Sequence, residues 1–97
     1  MEKLTFVYPA KAALAARAHV GVVASGDLEV LLEPSASRES HVVVTTSVEG
    51  FGTVWKSVLD RFFGRFDAAA SVEINDFGAT PGLVMLRLEQ AAEKVRS

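Results

Sequence analysis

Cysteine is absent from the 97 residues. That excludes disulfides, thiolate nucleophiles and cysteine-ligated metals. No apolar run approaches the roughly 20 residues of a membrane span. Neither sign of charge dominates: ten Lys and Arg face twelve Asp and Glu, a net of −2, and the basic residues are scattered. Nucleic acid is therefore not an expected partner, and neither is a membrane. The opening, Met1-Glu2-Lys3-Leu4, lacks the basic start and apolar block of a signal peptide, which gives the expectation of a cytoplasmic protein. There is no Walker-type phosphate loop. The two histidines, His19 and His41, have no carboxylate in a ligand spacing, so no metal site is expected. What the chain has is apolar content, 49%, enough to build one core without staples, and residues 1–97 read as a single domain.

Leu4 to Tyr8 is aromatic and β-branched and is closed by Pro9, which predicts an opening strand at a sheet edge. Lys11 to Ala16 is alanine-rich and reads as a loop or a turn of helix. Ala18, Val20, Val22 and Ala24 share one face of a period-two segment, with Arg17, His19 and Gly21 on the other. Val23, on the second face near the tip, implies that this side is partly covered there. After Ser25-Gly26-Asp27, Leu28, Val30 and Leu32 alternate with Glu29 and Glu33 until Pro34. So short a connection makes the two strands antiparallel. Ser35 to Ser40 reads as a loop, and His41 to Ser47 as the strand with the clearest propensity. From Phe51 to Phe66 the period changes, and Val54, Trp55, Val58, Leu59, Phe62, Phe63 and Phe66 fill one helical face. Asp67 to Ala70 reads as a connector and Ser71 to Asn75 as a strand. Thr80-Pro81 reads as an N-cap and first helical position, opening a helix to about Arg96. A strand over Leu83 to Leu88 is the alternative. The expected fold is α+β: a two-layer sandwich in which a mostly antiparallel sheet of about five strands (β-β-β-β-α-β-α) packs against two helices.

Ser-Gly-Asp between two alternating runs is a turn signal, because glycine accepts positive φ and aspartate bonds nearby backbone. Ser25 is thus expected at a hairpin tip, with its hydroxyl exposed. Gly26 is read as serving backbone geometry, and also as leaving room for an enzyme to approach. Asp27 is read as an Asx-type turn cap, or else as a group that helps a modifying enzyme position the Ser25 hydroxyl. No catalytic constellation is complete. His19 lies six residues from Ser25 on one strand, too far for a direct hydrogen bond. Glu29 and Glu33 sit on a solvated strand face. The Gly78 to Gly82 loop reads first as a capped helix start with glycine turns, and otherwise, because free N–H groups at a helix start favour anions, as an anion site if it lies near Ser25. A domain without a nucleophile–base pair makes a better carrier or binding module than an enzyme.

Several ordered blocks carry a resemblance: Ala24-Ser25-Gly26-Asp27-Leu28-Glu29-Val30-Leu31-Leu32-Glu33-Pro34, Thr46-Ser47-Val48, Asn75-Asp76-Phe77-Gly78-Ala79-Thr80-Pro81-Gly82 and Leu86-Arg87-Leu88-Glu89-Gln90-Ala91. Over nearly its whole length the chain resembles the acyl-carrier (δ) subunit of bacterial malonate decarboxylase. More distantly it is similar to the acyl-carrier (γ) subunit of citrate lyase, which shares a Ser, an Asp two residues on and a later Asp-x-Gly-Ala. The resemblance implies that Ser25 carries 2′-(5″-phosphoribosyl)-3′-dephospho-coenzyme A through a phosphodiester. It implies a triphosphoribosyl donor and a dedicated prosthetic-group transferase. It further implies a non-catalytic carrier subunit whose arm thiol, the thiol this chain lacks, bears acetyl and then malonyl. The partners it implies are a malonyl-acetyl transferase subunit and two carboxylase-like decarboxylase subunits. Other readings are an ordinary 4′-phosphopantetheine on Ser25, a non-covalent α+β binding or regulatory module, and a hydrolase using Ser25.

Overall fold

The structure, a computed structural model, describes residues 1–13 and 21–95. The elements run β1 (Glu2–Pro9), β2 (Ala12–Ala13), β3 (Gly21–Ala24), β4 (Leu28–Pro34), β5 (Glu39–Thr46), α1 (Gly52–Phe63), β6 (Ala68–Asp76) and α2 (Pro81–Val95). The main path of the sheet is β1-β5-β6-β4-β3, and the two-residue β2 pairs with the start of β6. β1 is an edge strand, as its closing proline predicts. The pairs β1–β5, β4–β6 and β3–β4 are antiparallel, whereas β5–β6 is parallel. Parallel neighbours need a crossover, and α1 supplies it. The fold is the expected α+β sandwich.

One sheet face holds the core. Val30 faces Ile74 and Leu32 faces Val72 across β4–β6, while Val42 and Val44 face the same two residues from β5. All six are essentially sealed from water. Trp55, Val58, Leu59 and Phe62 of α1 and Val84, Leu88 and Ala91 of α2 close over them. Each large aliphatic side chain so buried stabilises the fold by roughly 1.5–3 kcal/mol. The opposite sheet face carries exposed Glu29, Glu33, His41 and Glu73. Asn75 Nδ2 donates to Glu29 Oε1 there, at 2.9 Å.

The α1 helix ends at Phe63, earlier than its apolar pattern implies. Phe66 lies beyond it yet is buried and stacks on Phe62 at a centroid distance of 5.2 Å. Val54 is 37% exposed, and Phe63 is half-buried and stacks on Tyr8. The Tyr8 hydroxyl donates to Asp60 Oδ1 at 2.7 Å, and Lys56 Nζ donates to Asp60 Oδ2 at 2.7 Å, which ties α1 to the edge strand. Burial, with the Asp60 bond, holds the Tyr8 phenol well above its ordinary value. The Lys56 bond, then the Tyr8 bond, lowers the Asp60 carboxyl.

Four expectations need correction. Ala68 to Ala70 are strand, not connector, and Ala69 and Ala70 are fully buried. Alanine's weak β-propensity hid a central strand whose small side chains suit a crowded site. Ser40 belongs to β5, not to the preceding loop. Its buried hydroxyl donates to the Ala68 carbonyl at 3.1 Å and accepts from the Ala70 N–H at 3.0 Å. Ala12–Ala13 is a short strand rather than helix or loop. In β3, Val23 pairs with Val30 and packs on the core, as expected of its side near the tip, but Ala24, expected on the buried face, is exposed. Valines at both 22 and 23 leave the period ambiguous in so short a strand. Residues 14–20, Arg17 and His19 among them, lie outside the described residues.

The expected start of α2 is present: Thr80 Oγ1 accepts from the Leu83 N–H at 3.2 Å, and Pro81 occupies the first helical position. This is a helix, not a strand over Leu83 to Leu88. Among the described residues no helix is long and apolar enough to cross a membrane.

Candidate functional site

Ser25 stands at the tip of the β3–β4 hairpin, and its side chain is exposed. Its N–H donates to the Leu28 carbonyl at 2.7 Å, and its hydroxyl leans on the same oxygen at 3.4 Å. So long a contact restrains the hydroxyl little. Gly26 does not have the positive φ that its residue type invites. Among the described residues only Gly50 and Gly78 do. A Cβ at Gly26 would meet nothing within 4 Å. The chain's own geometry therefore does not require glycine there, which corrects the backbone role expected of it.

Asp27 is corrected as well. Its carboxylate makes no hydrogen bond or ion pair among the described residues, so the Asx cap is not formed, and the side chain projects into solvent. Its backbone carbonyl is engaged, accepting from the Phe77 N–H at 2.8 Å. That bond joins the Ser25 turn to the loop before α2.

The capping aspartate is Asp76, which carried no site expectation. It is 3% exposed at the end of β6. Oδ2 accepts from the Thr46 hydroxyl at 2.8 Å, and Oδ1 accepts from the N–H groups of Gly78 at 3.3 Å and Ala79 at 2.9 Å. The Asp76 carbonyl accepts from the Ser47 N–H at 3.0 Å. Thr46 in turn accepts from the Val48 N–H at 3.1 Å. One buried carboxylate thus organises both loops at this end of the sheet. The sequence signal is Asp-x-Gly, but the partner Thr46 becomes its neighbour only through the parallel register of β5 and β6. The Gly78 to Gly82 loop does lie beside the Ser25 turn. However, the donors of Gly78, Ala79 and Leu83 are already taken by Asp76 and Thr80, so few remain for a phosphate.

Both helices start at this end. Between their first turns lies a cavity of about 270 Å³, walled by Val48, Phe51, Val54, Trp55, Ala79 and Val84, with Thr46 and Asp76 reaching it from the sheet. It sits beyond the carboxyl ends of the parallel pair β5–β6, where open sheets with parallel strands bind ligands. Phe51 is 48% exposed and Phe77 54% exposed at the same end. A larger groove of about 860 Å³ runs between the later turns of the helices, past Arg61, Arg65, Leu86 and Glu89. It takes nothing from the Ser25 turn.

His41 is the third residue of β5, roughly 17 Å along the strand from Thr46. It contacts the Ser37 hydroxyl at 3.2 Å and is no base for Ser25. No group of three His, Asp or Glu side chains able to hold a metal occurs among the described residues.

The family model "Malonate decarboxylase delta subunit (MdcD)" matches residues 15–95, which includes the whole of this end. The chain belongs to the malonate decarboxylase delta subunit family. A Pseudomonas aeruginosa relative named "Malonate decarboxylase acyl carrier protein" is 55% identical over 97% of this chain and 96% of its own length. An Azotobacter vinelandii relative of the same name is 51% identical over 98% of this chain and 97% of its own. Among solved structures, a chain from "Crystal structure of a Pseudomonas malonate decarboxylase hetero-tetramer in complex with malonate" aligns with a TM-score of 0.86 and 41% identity. It covers 98% of this chain and 99% of that one. The likeness thus spans nearly the whole chain, not a motif alone.

Proposed function

We propose that this chain is the acyl carrier of a malonate decarboxylase, acting in the cytoplasm, with Ser25 as the attachment point of 2′-(5″-phosphoribosyl)-3′-dephospho-coenzyme A. The observation that carries the reading is the near full-length likeness to relatives named acyl carrier proteins. The local geometry supports it. Ser25 is exposed and weakly restrained, Gly26 leaves the space beside it empty, and the Asp27 carboxylate is uncommitted. This arrangement fits an alcohol that a second enzyme must surround.

In loading, the Ser25 oxygen bonds to the α-phosphorus of the triphosphoribosyl donor. The bond to the departing diphosphate breaks, and the hydroxyl proton passes to a base of the transferase. Asp27 helps that enzyme hold the hydroxyl in line. When bound, the group would supply the thiol that this chain lacks, and a thioester on that thiol would ease the loss of CO₂ from malonyl. This chain provides no acid or base for that step and no catalytic residue. Its remaining partners are a malonyl-acetyl transferase subunit and two carboxylase-like subunits, and the hetero-tetramer around the 41% identical chain supports such an assembly. Tethering replaces capture from solution with local search at an effective concentration of order 1 mM.

The test is intact mass and peptide mapping after co-expression with the transferase. The expected result is the phosphoribosyl-dephospho-coenzyme A increment on the Ser25 peptide and none in Ser25→Ala. The smaller increment of 4′-phosphopantetheine would identify an ordinary carrier. A chain that stays bare beside an active transferase would be a binding module.

A further inference from the structure

The cavity between the two helix starts has no part in the role proposed for Ser25, yet it opens at the same end of the molecule. From Ser25 the backbone path runs to Asp27, across one hydrogen bond to Phe77, and one step on to Gly78 at the cavity wall. That path spans no more than about 17 Å. The cavity is apolar and aromatic, with Phe51 and Trp55 in its walls, and its 270 Å³ admits one ring system rather than a helix or a long chain. The N–H groups of Gly78, Ala79 and Leu83 beside it are already bonded to Asp76 and Thr80, so few donors remain there for the phosphates.

We infer that the adenine base of the group attached at Ser25 docks in this cavity, against Phe51 and Trp55. The inference rests on the attachment proposed above. In that group the base is close to the serine, separated from it by one phosphate and two riboses, while the thiol lies at the far end. Docking the base holds the near part of the arm to its own carrier and leaves the thiol end free to travel. Weak affinity suffices: at an effective concentration of order 1 mM, a contact with a dissociation constant of about 1 mM keeps the base docked about half the time.

Trp55 is the chain's single tryptophan, so its emission reports on the cavity. The experiment compares loaded wild-type chain, loading verified by mass, with the unloaded Ser25→Ala chain. The readouts are Trp55 fluorescence and backbone amide shifts. Loading is expected to change Trp55 emission and to move the amides of Val48, Phe51, Val54 and Ala79. Val54→Asp is expected to remove both responses without reducing the mass increment. Phe51→Ala, at a more exposed position, is expected to weaken them by at least about twofold. Loaded chain with changes confined to residues 24–28 would overturn the inference and leave the attachment intact. Cavity shifts that arise only when the other decarboxylase subunits are added would also overturn it, because the occupant would then be a partner's side chain. A bare Ser25 would remove both readings, and mass reports that separately.

Discussion

Two turns meet at one end of this sheet, and each holds a glycine and an aspartate close together. In the hairpin tip, Gly26 has no positive φ and Asp27 has no side-chain partner among the described residues. In the loop before α2, Gly78 has a φ of 110° and Asp76 is buried with three donors on its carboxylate. The chemistry of the residues is the same in both places. The difference is burial: a sealed carboxylate must be satisfied on every side, so its neighbours are locked, whereas an exposed one is satisfied by water and leaves its turn free. The locked loop is scaffold, and the free tip is where another protein can work.

The largest expected effect breaks the scaffold side. Asp76→Ala leaves two loop N–H groups without their acceptor and the Thr46 hydroxyl with only its longer bond to the Val48 carbonyl, and should cost about 3 kcal/mol in urea unfolding, against less than about 0.5 kcal/mol for Asp27→Ala. A similar loss from both would dissolve the contrast. Next comes the pair of glycines. Gly78→Ala puts a side chain at positive φ and should lose about 1–2 kcal/mol. Gly26→Ala, in open space at negative φ, should be neutral or gain up to about 1 kcal/mol by stiffening the unfolded chain. If Gly26→Ala still loads as fast as the wild type, the emptiness beside Ser25 has no role in approach by the transferase.

A smaller effect sits away from both turns. The folded chain holds the Tyr8 proton more tightly than the unfolded chain, because burial and Asp60 disfavour the phenolate. The stability this contributes is complete below the ordinary phenol value of about 10 and declines as pH rises toward the raised folded value. Tyr8→Phe should flatten the alkaline limb of a pH–Tm profile while leaving the mass increment at Ser25 unchanged. The smallest effect on stability is expected for Ser25→Ala, within about 0.5 kcal/mol of wild type, since the hydroxyl makes only one long contact. That variant should nonetheless lose loading entirely.

Much of the fold was legible before any coordinates. The alternation of Leu28, Val30 and Leu32, the change of period at Phe51 and the Thr80-Pro81 start each state a local rule that the structure obeys. The tip position and exposure of Ser25 followed from the same reasoning. The failures share a cause. Ala68 to Ala70 looked like linker, Ser40 like loop, and β3 offered apolar residues on both sides. In the first two cases a neighbour distant in sequence decides the outcome, the strands around β6 and the Ala68 and Ala70 backbone; in β3 the decision lies with the facing strand, where Val30 stands opposite Val23.

The sequence by itself determined the type of each long periodic element, though not the strand status of Ala12–Ala13, Ser40 or Ala68 to Ala70, and that a hydroxyl would stand at a turn, because period and turn chemistry act over a few residues. Only the tertiary structure decided that β5 and β6 run parallel, which sets Thr46 beside Asp76 and brings both helix starts to the end where Ser25 stands. Register between strands is fixed by contacts made across the whole chain, and no short stretch contains both halves of such a contact.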